Sequence, residues 1–375
     1  MKRGILTYSK ANNFGAMMQA LALKHTLEER YKADVYFVNY YSVLQENNDG
    51  LKLKICNMAQ LVKQFIRMPF RKQIRTRIQK FTDFRSRYFV FSSKKMNEYT
   101  SQEELVEEFD KFDIIIVGSD QVWNVENDGF TPVYYLPFKL KARKITYAAS
   151  IGVSQVEKLK EYSVYMDDFF LLSTREEKAK KILEECTHKT VDVVLDPTLF
   201  VDSDFYDTLL KGYKCEYLAV KEKYMLAVFY GRKNLSKFRK SAEKLAQKFS
   251  LPLKIINVNF GAAYASNLIN DAGPLDFLSL IKNAECVCTN SFHNMAFALI
   301  YDRPFYVFED NALDVRKVGI LKTLKLQDRI VYGDDISSIT KLDCDFKENK
   351  LILDHLKLQS FAFLDQIDRL GSIQI

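Results

Sequence analysis

Four histidines occur in 375 residues, and His293 stands where proton chemistry is feasible. It follows Thr289-Asn290-Ser291-Phe292, between a strand-like run, Ala284–Thr289, and an apolar helical run, Phe292–Tyr301. An imidazole at a helix start, beyond the carboxyl end of a strand, can serve as general acid or base near neutral pH. A packing or capping histidine fits the same position, with Asn290 and Ser291 as ordinary cap residues. The other three, His25, His188 and His355, fall in predicted helices or polar loops.

A second constellation is Gly118-Ser119-Asp120-Gln121-Val122-Trp123-Asn124, just past the apolar run Ile114–Val117. Short polar groups beside the only tryptophan suit a sugar: the ring offers an apolar face and the amides fix hydroxyls. A self-capped loop with Trp123 in the core fits equally well. Asn12-Asn13-Phe14-Gly15 joins the first predicted strand to the first helix. Gly15 permits a tight turn, and the helix start offers N–H groups to an anion; a plain turn capped by Asn is the other reading. Arg175 is expected in the first turn of a helix, where a cation opposes the dipole and Glu176 and Glu177 agree with it. Either a bound anion or a neighbouring acid would hold it there. Cys286 and Cys288 share one strand face; with no second pair they read as buried structural thiols, and no metal site is expected. Neither GxxxxGK[ST] nor GxGxxG is present.

Alternating strand-like and helix-like runs must position these residues. Strands are predicted at Arg3–Tyr8, Val35–Asn39, Asp113–Gly118, Lys144–Ser150 and Val191–Leu195, then at Tyr224–Tyr230, Leu253–Val258, Ala284–Thr289 and Pro304–Phe308. Ser101–Glu104 and Thr174–Glu177 read as capping boxes. The pattern is α/β: two Rossmann-like doubly wound domains facing a cleft, with ligands at the carboxyl ends of the strands. The expected domains are 1–190 and 191–345, with a helix in 346–375 returning to the first. A helical insertion spans 51–90, with apolar spacing at Ile55, Met58, Val62, Phe65 and Ile66 and a break at Pro69.

Apolar residues at 47% and charged residues at 27% exclude disordered and collagen-like classes. Apolar runs are far shorter than the ~20 residues of a membrane span, and the start lacks a signal-peptide pattern. Six irregularly spaced cysteines point to a reducing cytoplasm. The net charge of +7 is local: residues 51–100 carry 13 Lys and Arg against 2 Asp and Glu, the remainder 42 against 46. The basic face Lys63, Arg67, Arg71, Lys72 and Arg75 suits either solvent or an anionic membrane surface. No nucleic-acid motif accompanies it, and no nucleic-acid partner is expected.

Taken together, Asn13-Phe-Gly15-Ala-Met-Met-Gln19, Ile116-Val-Gly-Ser-Asp-Gln-Val-Trp-Asn124, Tyr147-Ala-Ala-Ser-Ile-Gly152, Arg175-Glu-Glu177, Leu195-Asp-Pro197 and Thr289-Asn-Ser-Phe-His293 resemble, in order, the polysaccharide pyruvyl transferase family. The resemblance implies a GT-B-like fold. It also implies transfer of pyruvate from phosphoenolpyruvate onto two hydroxyls of a sugar in a lipid-linked or polymeric cell-envelope or exopolysaccharide glycan. The product is a cyclic ketal, phosphate leaves, and no cofactor is needed. His293 matches the family's catalytic histidine and Arg175 a donor-binding arginine. Some members carry arginine where this chain has Ser291, and glycine is frequent where it has Asn294. The donor side would then be Arg175, Asn290, Ser291 and a substitute cation, Arg232. Asp120 would be the base for the attacking hydroxyl. Asn13, Gly15, Ser119, Gln121, Trp123 and Asn124 would line the acceptor side or the cleft. Two other functions suit the same fold: a nucleotide-sugar-dependent glycosyltransferase and a glycan-binding relative without catalysis.

Overall fold

The computed structural model describes residues 1–49, 68–127, 129–152, 156–219, 222–231, 234–258, 267–309, 315–333 and 335–372. Arg232, Lys63 and Arg67 lie outside them, as does the predicted apolar spacing from Ile55 to Ile66. The chain begins with β1 (Lys2–Leu6), α1 (Phe14–Tyr31), β2 (Asp34–Phe37), α2 (Val43–Asp49), α3 (Arg71–Tyr88) and α4 (Gln102–Phe109). It continues through β3 (Ile114–Val117), β4 (Arg143–Thr146), α5 (Val156–Met166), β5 (Phe169–Thr174), α6 (Glu177–Thr187) and β6 (Val191–Val193). Then come α7 (Ser203–Leu210), β7 (Met225–Val228), α8 (Leu235–Lys248), β8 (Leu253–Ile256), β9 (Leu268–Ile269) and α9 (Pro274–Lys282). The last elements are β10 (Cys286–Thr289), α10 (Phe292–Ile300), β11 (Phe305–Glu309), α11 (Val315–Thr323), β12 (Ile330–Tyr332) and α12 (Lys347–Ser372).

These elements form two compact units. Among the described residues the first takes 1–49, 85–200 and 353–372, and the second takes 68–84 and 201–352. Each holds one all-parallel sheet of six strands, ordered β2-β1-β3-β4-β5-β6 in the first and β12-β11-β10-β7-β8-β9 in the second. The central strands are apolar and buried throughout, Ile-Ile-Ile-Val in β3 and Cys-Val-Cys-Thr in β10, as strands covered on both faces must be. Cys286 and Cys288 thus pack in the second unit's core. The winding direction reverses between β1 and β3, and between β7 and β10. At such switch points the connections diverge and open a crevice at the carboxyl edge.

The start of α1 is fixed by Asn13, whose side chain accepts from the Ala16 N–H at 3.2 Å. The predicted capping box at α4 forms, with Ser101 and Glu104 exchanging bonds of 3.3 and 3.4 Å. The one predicted at Thr174 does not. Thr174 ends β5 and donates its hydroxyl to the Glu176 carboxylate at 2.9 Å, and α6 begins only at Glu177. Arg175 therefore precedes the helix, and the dipole argument for it lapses. α12 packs on the first unit: Arg3 pairs with Asp368, Tyr31 Oη donates to Asp365 at 2.6 Å, and Ser360 Oγ accepts from the Leu195 N–H at 2.9 Å. Strands β9 and β12 were not expected, being too short to show a period. Nor was α11, whose run is broken by Gly319.

Most of α3 belongs with the second unit, whereas the sequence placed the insertion in the first domain. Ile74, Arg77, Phe81 and Phe84 form its buried stripe. Lys80 Nζ donates to both Asp276 and Glu216 at 2.9 Å, so the second unit supplies its carboxylate partners. Among the described residues, no helix is long and apolar enough to cross a membrane.

Candidate functional site

Five motif segments, spread over some 190 residues, meet at the carboxyl edge of the first sheet. Thr7, ending β1, donates its hydroxyl to the Ser119 carbonyl at 2.7 Å, and Tyr8 Oη donates to the Gln121 carbonyl at 3.1 Å. Ser150 N–H donates to the Asp120 carbonyl at 2.9 Å, and Trp123 N–H to the Ser150 carbonyl at 3.2 Å. The Asn124 amide donates to Gln121 Oε1 at 2.8 Å. The Ser119 hydroxyl is wholly buried and donates to Asp196 at 3.3 Å. Asp120, Gln121 and Asn13 stay partly exposed, while Phe14 and Gly15 run into the core.

Two predicted site residues take structural places here. Trp123 is fully buried and stacks on Tyr135 with ring centroids 5.0 Å apart. Its indole N–H donates to the Tyr134 carbonyl at 2.9 Å, so it props the loop and offers no face to a ligand. Arg175 is 3% exposed, and three carboxylates surround it: Asp196, Asp120 at 3.4 Å and Glu176 at 3.5 Å. Burial alone would lower its pKa, but the charges of Asp196, Asp120 and Glu176 push it up. Neighbouring acids hold it in this position.

The carboxyl edge of the second sheet holds the predicted histidine. The Asn290 side chain pairs with the Tyr230 backbone, accepting at 2.8 Å and donating at 2.9 Å. Thr289 donates its hydroxyl to the Val228 carbonyl at 2.8 Å and accepts from the Asn294 amide at 3.0 Å. Together they stitch β10 to β7 across the switch point. Asn290 is thus a strand tie and not a helix cap; Ser291 holds the cap position of α10 without a side-chain cap bond. His293 sits on the first turn of α10, 8% exposed, with its ring edge-on to Phe292.

Cations that sequence reasoning missed lie along this edge. Arg77, 6% exposed on α3, donates to the Asn257 carbonyl at 3.3 Å, just past β8. Arg239 donates to Asn257 Oδ1 at 2.8 Å, and burial pushes its pKa down. Burial pushes the Tyr230 phenol up, with the Arg77 charge opposing it. Lys317 is buried, paired with Glu309, and donates to the Asn290 carbonyl at 2.6 Å. Arg77 left one trace in the sequence: it is a cation on an otherwise apolar stripe. Lys317 left none. A buried and a half-buried guanidinium group, a helix start and an imidazole at one strand edge suit an anion that exchanges a proton.

The fold is shared with solved structures. A crystal structure of UDP-GlcNAc 2-epimerase from Methanocaldococcus jannaschii, in complex with UDP-GlcNAc and UDP, superposes with a TM-score of 0.51 at 16% identity, covering 96% of this chain and 100% of that one. A second structure of the enzyme from that organism gives 0.51 at 15%, with 96% and 100% covered. At such identity the likeness is one of fold alone: two-domain α/β, GT-B-like. No curated protein matches the sequence. The family described as "Polysaccharide pyruvyl transferase" matches residues 13–311, from the cap of α1 past β11, including every motif segment above. The ordered loops on both sheet edges and this match place the chain in the polysaccharide pyruvyl transferase family.

Proposed function

We propose that the protein transfers pyruvate from phosphoenolpyruvate to a sugar of a cell-envelope or exopolysaccharide precursor, forming a cyclic ketal and releasing phosphate. The observation that supports this most is His293, on the first turn of α10 beside the switch point with Arg77 and Arg239 along the same edge. Those arginines supply the positive charge that Ser291 does not. A bound carboxylate and phosphate would favour the protonated imidazole. His293 gives its proton to C3 of the enol, and C2 becomes electrophilic. One sugar hydroxyl bonds to C2, the bond from C2 to the phosphate oxygen breaks, and a second hydroxyl closes the ketal. Of the two hydroxyl protons, one restores His293 and the other leaves with phosphate. Lys317 acts through Asn290 and is a positioning residue for this loop.

In this reading the first unit's partly exposed loop groups, Asn13, Asp120 and Gln121, contact the acceptor, and Asp120 relays the second hydroxyl's proton to the departing phosphate. No metal or cofactor enters the scheme. The enzyme works in the cytoplasm, with the exposed Arg71, Lys72 and Arg75 of α3 resting on the anionic inner face of the membrane.

Incubation with phosphoenolpyruvate and lipid-linked sugars should release phosphate. His293→Ala should slow release by about 10²–10⁴-fold while phosphoenolpyruvate still raises the melting temperature. Unchanged release in the variant would remove His293 from its role. Stabilisation by nucleotide sugars and not by phosphoenolpyruvate would replace the donor.

A further inference from the structure

We propose that a cavity at the amino edge of the second sheet is a binding site for an anionic sugar, one that carries a carboxylate or a phosphate. The cavity holds about 700 Å³, a volume suited to a small ligand. Its lining comes from the approaches to four adjacent strands. Lys223, Leu251 and Arg303 each stand two residues before β7, β8 and β11, and Glu285 stands directly before β10. His293 follows the carboxyl end of β10, so the cavity lies at the opposite end of these strands from it.

The remaining wall is the segment 340–344, which has no regular structure yet is fixed by side chains. Tyr306 Oη donates to the Lys341 carbonyl at 2.8 Å, and Arg329 donates to the carbonyls of Leu342 at 3.3 Å and Asp343 at 3.0 Å. The wall is thus held by bonds that need no ligand. Arg303 is half-buried, and its Nε is closed to water without an acceptor among the described residues. Nor does its guanidinium take part in an ion pair among them. The acids beside it are engaged elsewhere: Glu285 with Lys223 at 3.6 Å and Asp302 with Lys350 at 2.6 Å.

A guanidinium drawn out of water without a carboxylate loses solvation, and an oxyanion held in its fork offsets that loss. Exposed Lys341 adds a second positive charge to the same lining. Partly exposed Phe249 and Leu251 supply an apolar wall for a ring face, and Glu285 and Asp343 supply acceptors for hydroxyls. Bare phosphate would use only the cations, and an aliphatic acid would leave the carboxylates facing its chain. A sugar with one oxyanion uses all three kinds of group. This site stands whether or not the reaction proposed above takes place.

The test is isothermal titration calorimetry of the full chain with glucuronate, glucose 1-phosphate, glucose and inorganic phosphate at equal ionic strength. At least one of the two anionic sugars should bind about ten-fold or more tightly than glucose and than inorganic phosphate. Binding of glucuronate alone assigns the oxyanion to a carboxylate, and binding of glucose 1-phosphate alone assigns it to a phosphate; either supports the site. Arg303→Gln should weaken binding by about ten-fold or more, and Arg303→Lys, which keeps the charge and loses the fork, should weaken it less. Lys341→Gln, at an exposed position, should weaken binding several-fold without lowering the melting temperature, so the site is tested even where Arg303→Gln fails to fold. His293→Ala should leave binding unchanged. Binding by neither anionic sugar, binding indifferent to Arg303→Gln and Lys341→Gln, or binding lost in folded His293→Ala overturns the site. Inorganic phosphate bound as tightly as either sugar overturns the sugar as the ligand and leaves a bare anion in its place.

Discussion

Arg175 shows how one residue changes meaning between sequence and structure. On the expected helix its cation called for a bound anion or a neighbouring acid; just past β5 it meets Asp196, Asp120 and Glu176. Removing it strands carboxylates that are almost closed to water, since Asp196 and Glu176 are 1% and 5% exposed. Breaking a buried ion pair from one side typically costs about 3–5 kcal/mol. Arg175→Met should therefore lower stability by about that amount, read from urea unfolding. A loss under about 1 kcal/mol would mean the pairing is no better than a surface bridge. His293 kept its expected place because strand, loop and helix follow one another in sequence. Arg77 could not be assigned that way: it is 180 residues from Asn257, and only packing brings them together.

At the scale of elements, the site depends on how closely loops approach one another. Gly118 ends β3 with φ of +107°, and a Cβ there would lie 2.4 Å from the Tyr147 carbonyl oxygen. Both conditions demand glycine. Gly212 has a φ of +78° with nothing within 4 Å, so it shares the conformation without the crowding. Gly118→Ala should cost at least about 2 kcal/mol and Gly212→Ala about 1 kcal/mol, measured as denaturation midpoints. Equal losses would show that conformation alone, and not the contact with the β4 loop, requires glycine at 118. The strands were legible because their apolar runs sit between turn signals, and most ends shifted by only one to four residues. The box at Thr174 was not, because the Glu176 carboxylate accepts from Thr174 and from Ser150 of a second segment, which outcompeted local capping.

For the whole molecule, the charge excess of residues 51–100 is divided in the folded chain. Arg77 is buried at the second unit's strand edge and Arg85 joins the first unit's loop. Arg71, Lys72 and Arg75 remain exposed. If those three rest on anionic lipid, each contributes about 1 kcal/mol near the surface. Replacing all three by Gln should then weaken sedimentation with phosphatidylglycerol vesicles by roughly 10²-fold at low salt. Wild-type binding should itself fade as salt shortens the Debye length; no binding at low salt removes the membrane contact. By itself the sequence determined two α/β halves, the order of the motif loops, the position of His293 at a strand-to-helix junction and the family. Those depend on local periodicity, turn chemistry and short spacings, which neighbouring residues set. Only the tertiary structure decided that Trp123 is core, that Arg175 is an ion-pair hub and that most of α3 serves the second unit. Each of these depends on which distant side chains share a small volume of low dielectric, where pairing and burial set energies that no local pattern encodes.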